Sequence, residues 1–237
     1  MAIYKIADIF VEMNPCYKRL TKYAEKYLYT GDETPENVMK VELSKEILQL
    51  KNEQHDYLSP SECEYIFLGA CLATKVLQYS GFVLHSSAIA YEGNAYLFSA
   101  DSGTGKSTHT GFWQEVFGKE NVTYINDDKP VIREIDGVFH ASGSPFSGKS
   151  DLSTNIVVPL KAVCFIHRSE QNEIKKLSPA EAMNLLFEQI LRPRRPEYIN
   201  MLLEILDRFF TKVPVYSLGV TYSPDSAKFA YEAINKQ

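Results

Sequence analysis

No run of apolar residues in this chain is long enough to cross a bilayer. The longest, from Tyr65 to Thr74, is followed at once by Lys75 and Gln78. The opening Met1-Ala2-Ile3-Tyr4 lacks the basic segment and apolar stretch of a secretory signal. No block of Lys or Arg appears, and 25 basic against 30 acidic residues leave a formal net charge of −5, which argues against a nucleic-acid partner. Cysteine is scarce, and its four copies (Cys16, Cys63, Cys71, Cys164) have no metal-type C-x-x-C spacing. Cys63 and Cys71, eight residues apart, fall on one face of an expected helix and read as core thiols in a cytoplasmic protein. Repeats and low-complexity tracts are missing too. What remains is an ordinary globular composition, 45% hydrophobic and 23% charged over 237 residues. That suits one large domain, or a core with a small N-terminal appendage.

The chemistry concentrates at Ala100-Asp101-Ser102-Gly103-Thr104-Gly105-Lys106-Ser107-Thr108. An apolar run, Ala95-Tyr96-Leu97-Phe98, precedes it as a strand, and residues 111–117 follow as a helix. Strand, glycine loop and helix are the setting of a phosphate-binding loop. Gly103 and Gly105 free the backbone N–H groups to turn around phosphate oxygens. The helix N-terminus adds its own free donors. Lys106 supplies charge for the β- and γ-phosphates and Ser107 a hydroxyl for Mg²⁺. Ala100 stands where the motif's first glycine is usual.

Strands at 82–91 and 95–98, joined by Glu92-Gly93-Asn94, form an expected antiparallel hairpin. A parallel nucleotide fold would need a longer crossover there. The hairpin returns His85 toward the loop, as a phosphate contact or as a core histidine. The strand at 122–126 ends in Asn126-Asp127-Asp128, where one acid can hold Mg²⁺ and the other accept a hydroxyl proton. A second hairpin turns at Asp136-Gly137. The loop Gly143-Ser144-Pro145-Phe146-Ser147-Gly148-Lys149 follows, with Lys149 as a substrate or phosphate clamp. Arg168 reads as a surface residue, with nucleotide contact as the alternative. Arg192-Pro193-Arg194-Arg195-Pro196 reads as an exposed linker. In the N-terminal third a strand (4–13), a helix (17–29), a strand (38–43) and a helix (44–54) carry no recognisable chemistry. They form a covering or dimerising unit. Ser59-Pro60-Ser61-Glu62 starts a buried helix running to Ser80, with Gly81 as its stop. Strands at 156–158, 162–166, 174–177 and 213–218 and helices from 178, 198 and 225 complete the chain.

His85, Ser102 to Ser107 and Asn126-Asp127-Asp128 together resemble the HPr kinase/phosphorylase and ATP-dependent phosphoenolpyruvate carboxykinase superfamily. Residues 143–149 with Val158-Pro159-Leu160-Lys161-Ala162 are similar to a branch of small HPr-kinase-like proteins. The resemblance covers roughly residues 82 to 190 and implies a mixed α/β fold; the chain then divides into an αβ subdomain over residues 1–57 and an ATP-binding core over 58–237. It implies ATP and Mg²⁺ as cofactors, bound by Ser102, Gly103, Thr104, Gly105, Lys106, Ser107, Thr108 and Lys149. Ser107 and Asp128 are the metal candidates. Asp127, Asp128, Lys106 and His85 are the catalytic ones, the two aspartates dividing base and metal duties in an order left open. The expected activity is phosphorylation of a hydroxyl, on a serine of a peptide or protein or on a small molecule. A carboxykinase-like lyase and a non-catalytic nucleotide-binding module are the alternatives. Neither a nucleic acid nor a membrane is an expected partner, and homo-oligomerisation is left open. The E-I-R-G-L-G-type segment of true HPr kinases is missing, which sets HPr apart as a substrate.

Overall fold

The computed structural model describes residues 2–32 and 35–236. The stretch Gly31-Asp32-Glu33-Thr34-Pro35, whose composition reads as a turn, therefore lies partly outside the described residues. In chain order the elements are β1 (Ala2–Ile6), β2 (Ile9–Met13), α1 (Lys18–Ala24), β3 (Met39–Val41), α2 (Lys45–Gln54), α3 (Pro60–Lys75), β4 (Gly81–Val83), β5 (Ser86–Tyr91) and β6 (Asn94–Ser99). Then come α4 (Lys106–Phe117), β7 (Thr123–Asn126), β8 (Val131–Ile135), β9 (Val138–Ser142), β10 (Val157–Arg168), β11 (Glu173–Lys176), α5 (Pro179–Gln189), α6 (Pro196–Lys212), β12 (Val215–Val220) and α7 (Asp225–Asn235). The fold is mixed α/β.

One curled sheet holds β4 to β12, and β10 is its axle. The first residues of β10 pair antiparallel with β9, Val157 opposite Ser142. The remainder runs parallel between β6 and β12, with Cys164 opposite both Phe98 and Tyr216. The register slips between Leu160 and Ala162 where the strand changes partners. The sequence suggested two strands around Pro159. They are one, because Pro159 falls at the last pair of the β9 ladder, opposite His140, just before the pairing with β6 begins at Leu160, so its missing N–H falls at the changeover between partners. β5 and β6 form the expected hairpin, Ser86 opposite Ser99, and β7 extends it on the far side of β5. Its two-residue turn has positive φ at Glu92 and Gly93, which matches the strand twist.

Helices cover both faces. α4 and α7 lie on one, where Trp113, Ala227, Ala230 and Ile234 pack on Tyr96, Phe98, Cys164 and Ile166. α5 and α6 lie on the other, where Leu186, Leu202, Leu206 and Phe209 meet Leu97, Phe139 and Phe165. A separate three-stranded sheet, β1 to β3, shares a third cluster with α3, Val83, Val131 and Phe146. Glu64 of α3 ties it down. Its carboxylate accepts from the N–H groups of Cys16 at 2.6 Å and Tyr17 at 3.0 Å, at the start of α1.

Several expectations change. The strand read at 4–13 is the hairpin β1–β2, turning at Ala7 and Asp8 with φ of 52° and 59°. No glycine announces that turn. The strand read at 82–91 breaks at Leu84 and His85, where the His85 N–H donates to Gln189 O at 2.9 Å instead of continuing a ladder. α3 starts with the capping box expected of Ser59 and Glu62, but it tightens into a 3-10 turn at Val76–Tyr79. Ser80, not Gly81, takes the left-handed residue at its end. α3 is open on one side, with Ile66 40% exposed. Of the two thiols on it, Cys63 is buried and Cys71 half-buried. Ser223-Pro224-Asp225 reads in the sequence as the cap of the last helix, but α7 follows Pro224 with no side-chain cap.

Candidate active site

The loop between β6 and α4 has the shape its residues dictate. Gly103 and Gly105 have φ of +81° and +118°, conformations that L side chains rarely adopt. Among the described residues no heavy atom beyond the chain neighbours lies within 4 Å of where a Cβ would stand on either glycine, so the loop opens onto space. Ala100 is not among the positive-φ residues, so alanine replaces the usual glycine there without strain. Lys106 is buried at the head of α4. Its ammonium donates to Ala100 O at 2.7 Å and Asp101 O at 3.2 Å, so the loop is closed around its own lysine. Burial lowers the lysine's pKa, against the pull of Asp128, Asp101 and Asp127. Free N–H groups, a buried cation and open space fit an anionic phosphate chain.

The two aspartates face different partners. Asp127 Oδ1 accepts from Ser87 Oγ at 2.6 Å and Oδ2 from Ser107 Oγ at 3.0 Å. Ser87 in turn bonds Thr110 Oγ1 at 2.9 Å, which locks β5, α4 and the end of β7 together. Asp128 Oδ1 lies 3.4 Å from His85 Nε2, and Lys129 Nζ is 3.8 Å from Oδ2. Buried Asn126 sets the fork. Its Oδ1 accepts from the N–H groups of Asp128 at 2.9 Å and Lys129 at 2.7 Å, an Asx turn that sends the two carboxylates apart. Among the described residues no group of three or more His, Cys, Asp and Glu side chains could hold a metal alone. Ser107 Oγ and Asp127 Oδ2 are a hard-oxygen pair of the small kind that suits Mg²⁺, whose remaining ligands are phosphate oxygens and water.

His85 is fixed from behind. Gln189, the last residue of α5, donates from Nε2 to Asp101 Oδ1 at 3.0 Å, which leaves its Oε1 facing His85 Nδ1 at 3.1 Å. His85 Nδ1 is thus the donor, and Nε2 presents a lone pair toward Asp128. Burial pushes the imidazole below its ordinary pKa. Lys106 adds to the push, and Asp128 and Gln189 oppose it.

Two pockets meet at the loop. One, of about 610 Å³, is lined by Ser102, Gly103, Gly105, Lys106, Ser107, Thr108, His85, Asp127, Asp128 and Lys149. It therefore gathers every site residue expected from the sequence except Thr104. The other, of about 370 Å³, contains Thr104 and Thr108 with Phe112, Arg168 and Tyr222. Arg168 leans on the loop, donating to Gly103 O at 3.4 Å, rather than facing solvent alone. Arg19 and Tyr65 also line the larger pocket and were invisible in the sequence. They reach it from α1 and α3 across a long chain separation. Ser87 and Asn126 had a faint signal, as polar residues inside or closing apolar strands.

The model of the family described as SynChlorMet cassette protein ScmC matches residues 63–223, more than half of the chain. The chain belongs to the ScmC family. The match begins within α3 and ends after β12, so it takes in the loop, both aspartates and His85 of this ScmC-family protein. No curated protein matches the sequence. Among solved structures, the Hpr(Ser) kinase/phosphatase from Coxiella burnetii superposes with a TM-score of 0.39 at 8% identity, over 65% of this chain and 99% of that one. Residue roles in the ScmC-family chain rest on their own geometry.

Proposed function

We propose that this protein is an ATP- and Mg²⁺-dependent kinase that transfers the γ-phosphoryl group to a hydroxyl. One observation carries the reading. His85 Nε2 and Asp128 Oδ1, both proton acceptors, converge at 3.4 Å in the pocket that also holds Lys106 and the Ser107–Asp127 pair. A hydroxyl proton entering that gap would satisfy both.

The loop N–H groups and Lys106 would hold the β- and γ-phosphates, and Phe112, Tyr222 and Arg168 would pack the base and ribose. Ser107 and Asp127 would hold Mg²⁺, which supplies neutralisation of charge on the phosphate oxygens. This division puts the metal on Asp127 rather than Asp128, because Asp127 is the acid bonded to the Ser107 hydroxyl. Asp128, oriented by Asn126 and paired with His85, accepts the proton as the acceptor oxygen bonds to phosphorus and the bond to the leaving ADP breaks. Lys106 offsets the charge that passes to the leaving oxygen. The barrier falls by positioning and electrostatics, which need no covalent step by the protein.

The test is incubation with γ-labelled ATP and Mg²⁺ against free serine, serine peptides and cell extract. Transfer to a hydroxyl, lost in Lys106→Ala and sharply reduced in Asp127→Asn, is the expected result. Full activity in both variants would sink the mechanism. ATP binding without transfer to any acceptor would make the protein a binding module. Oxaloacetate-dependent release of phosphoenolpyruvate would make it a lyase.

A further inference from the structure

The larger pocket is also lined by two cations from outside the phosphate loop, Arg19 and Lys149. Arg19 of α1 lies with its guanidinium carbon 4.0 Å from the centre of the Tyr65 ring, and Nη2 donates to Gly148 O at 2.8 Å. The Gly148 N–H donates to Tyr65 Oη at 2.8 Å, so helix α3, the 143–149 loop and Arg19 form one closed set. Gly148 has a φ of +76°, and a Cβ there would stand 3.2 Å from that of Asp128. Gly148, the residue that holds Arg19, thus packs against the proposed base. Lys149 follows Gly148 and lines the same pocket.

These cations have no anion of their own. Among the described residues neither Arg19 nor Lys149 forms an ion pair. Glu62, whose pKa the Ser59 hydrogen bonds lower first and Arg19 and Lys149 also lower, forms no ion pair with either cation, and its Oε2 is bonded to the N–H and hydroxyl of Ser59. Arg19 is held by a ring face and one carbonyl, which leaves other N–H groups of the fork available. A planar fork fixed in advance beside a base is suited to a planar anion.

We propose that the phosphoryl acceptor carries a carboxylate next to its hydroxyl, bound by Arg19 and Lys149. This rests on the kinase reading and narrows its substrate to hydroxy acids or hydroxyl residues beside an acidic one. The N-terminal unit then contributes to recognition through Arg19.

Two matched pairs of probes separate the sources: D-glycerate against glycerol, and Ac-Ser-Asp-amide against Ac-Ser-Asn-amide. Binding is measured by calorimetry with ADP and Mg²⁺ present, so it needs no turnover. The charged member of at least one pair should bind roughly tenfold or more tightly, and the pair that responds names the source. Arg19→Gln and Lys149→Gln should each narrow the gap and, in turnover, raise the acceptor KM while leaving that of ATP. Lys149 is exposed, so its variant stays informative if Arg19→Gln fails to fold. Equal affinity within both pairs, no binding of any probe, or a preference that both substitutions leave intact overturns the proposal. So does a rise in the ATP KM alone, which would assign the cations to the nucleotide. A preserved binding preference with no phosphoryl transfer to any acceptor supports the carboxylate site and counts against the kinase reading instead.

Discussion

Ser107 and Asp127 are twenty residues apart in the chain and joined by a 3.0 Å hydrogen bond across the gap between α4 and β7. The bond aligns two hard oxygens beside the phosphate loop. Asp127→Asn keeps the shape but halves the acceptor set and removes the charge. Activity in Asp127→Asn should fall by about 100-fold or more, the scale of losing one preorganised electrostatic partner. If Asp127 holds the metal as proposed, the loss should be relieved in part by raising Mg²⁺, because the site would be weakened rather than erased. Steady-state rates across a Mg²⁺ titration check this, and a defect indifferent to Mg²⁺ would remove Asp127 from the metal.

His85 should shape the pH profile. Burial, aided by Lys106, sets its pKa below the ordinary value of 6.5, so the imidazole is neutral at pH 7 and Nε2 can share the proton with Asp128. Protonation on acidification removes that capacity, so the acid limb of kcat/KM should lie below pH 6.5. The alkaline limb should lie below the ordinary lysine value of 10.5, as Lys106 loses its charge. His85→Gln should lower the rate by roughly 100-fold, within the range of general-base effects. An acid limb centred above pH 6.5 would contradict the burial argument.

The parts of this site that were legible in sequence share one property: they are local. Gly103, Gly105, Lys106 and Ser107 belong to one loop whose backbone demands their types. The β5–β6 hairpin was legible because Glu92-Gly93-Asn94 leaves no room for a crossover. Asp127 and Asp128 stood out at the end of an apolar strand. What depended on distant packing was hidden. Arg19 reaches the pocket only because Glu64 anchors α1 and the Tyr65 ring carries the guanidinium, and neither contact leaves a pattern around residue 19. The break at His85 was hidden for the same reason, since Gln189, more than a hundred residues away, takes its N–H. Ala7 and Asp8 hid a turn because their positive φ is carried by residues that usually avoid it.

Glu64 is 1% exposed, and its carboxylate serves two backbone donors at the start of α1. Gln at this position offers one acceptor and turns an N–H₂ group toward the other donor. Leaving a buried donor unmatched costs about 2 kcal/mol. At this chain length that is roughly 4–8 °C of Tm, if unfolding stays two-state. Calorimetric melting of Glu64→Gln tests it, together with proteolysis near residues 15–24, where loosening should concentrate. An unchanged Tm would mean that α1 is held by its apolar contacts alone.

His109 offers a test of the α4–α7 face. It is 2% exposed, receives the Trp113 Nε1–H on Nε2 at 3.3 Å, and faces Ser226 Oγ from Nδ1 at 3.2 Å. Ser226 gives its own proton to Ser223 O, so Nδ1 is the protonated nitrogen of a neutral ring. Burial lowers its pKa to about 4, against 6.5 for an exposed histidine. Between those values the unfolded chain binds a proton that the folded one refuses. Its stabilising contribution is therefore complete above pH 6.5 and is lost as pH falls through 6.5 toward 4. The total is about 3 kcal/mol from one buried imidazole. His109→Gln cannot titrate, so its unfolding free energy should fall less steeply than the parent's over that interval, although it starts lower at pH 7. Urea denaturation of both proteins at pH 7, 6, 5 and 4.5 reads the difference directly. Parallel slopes in the two would show that another group, not His109, carries the acid sensitivity.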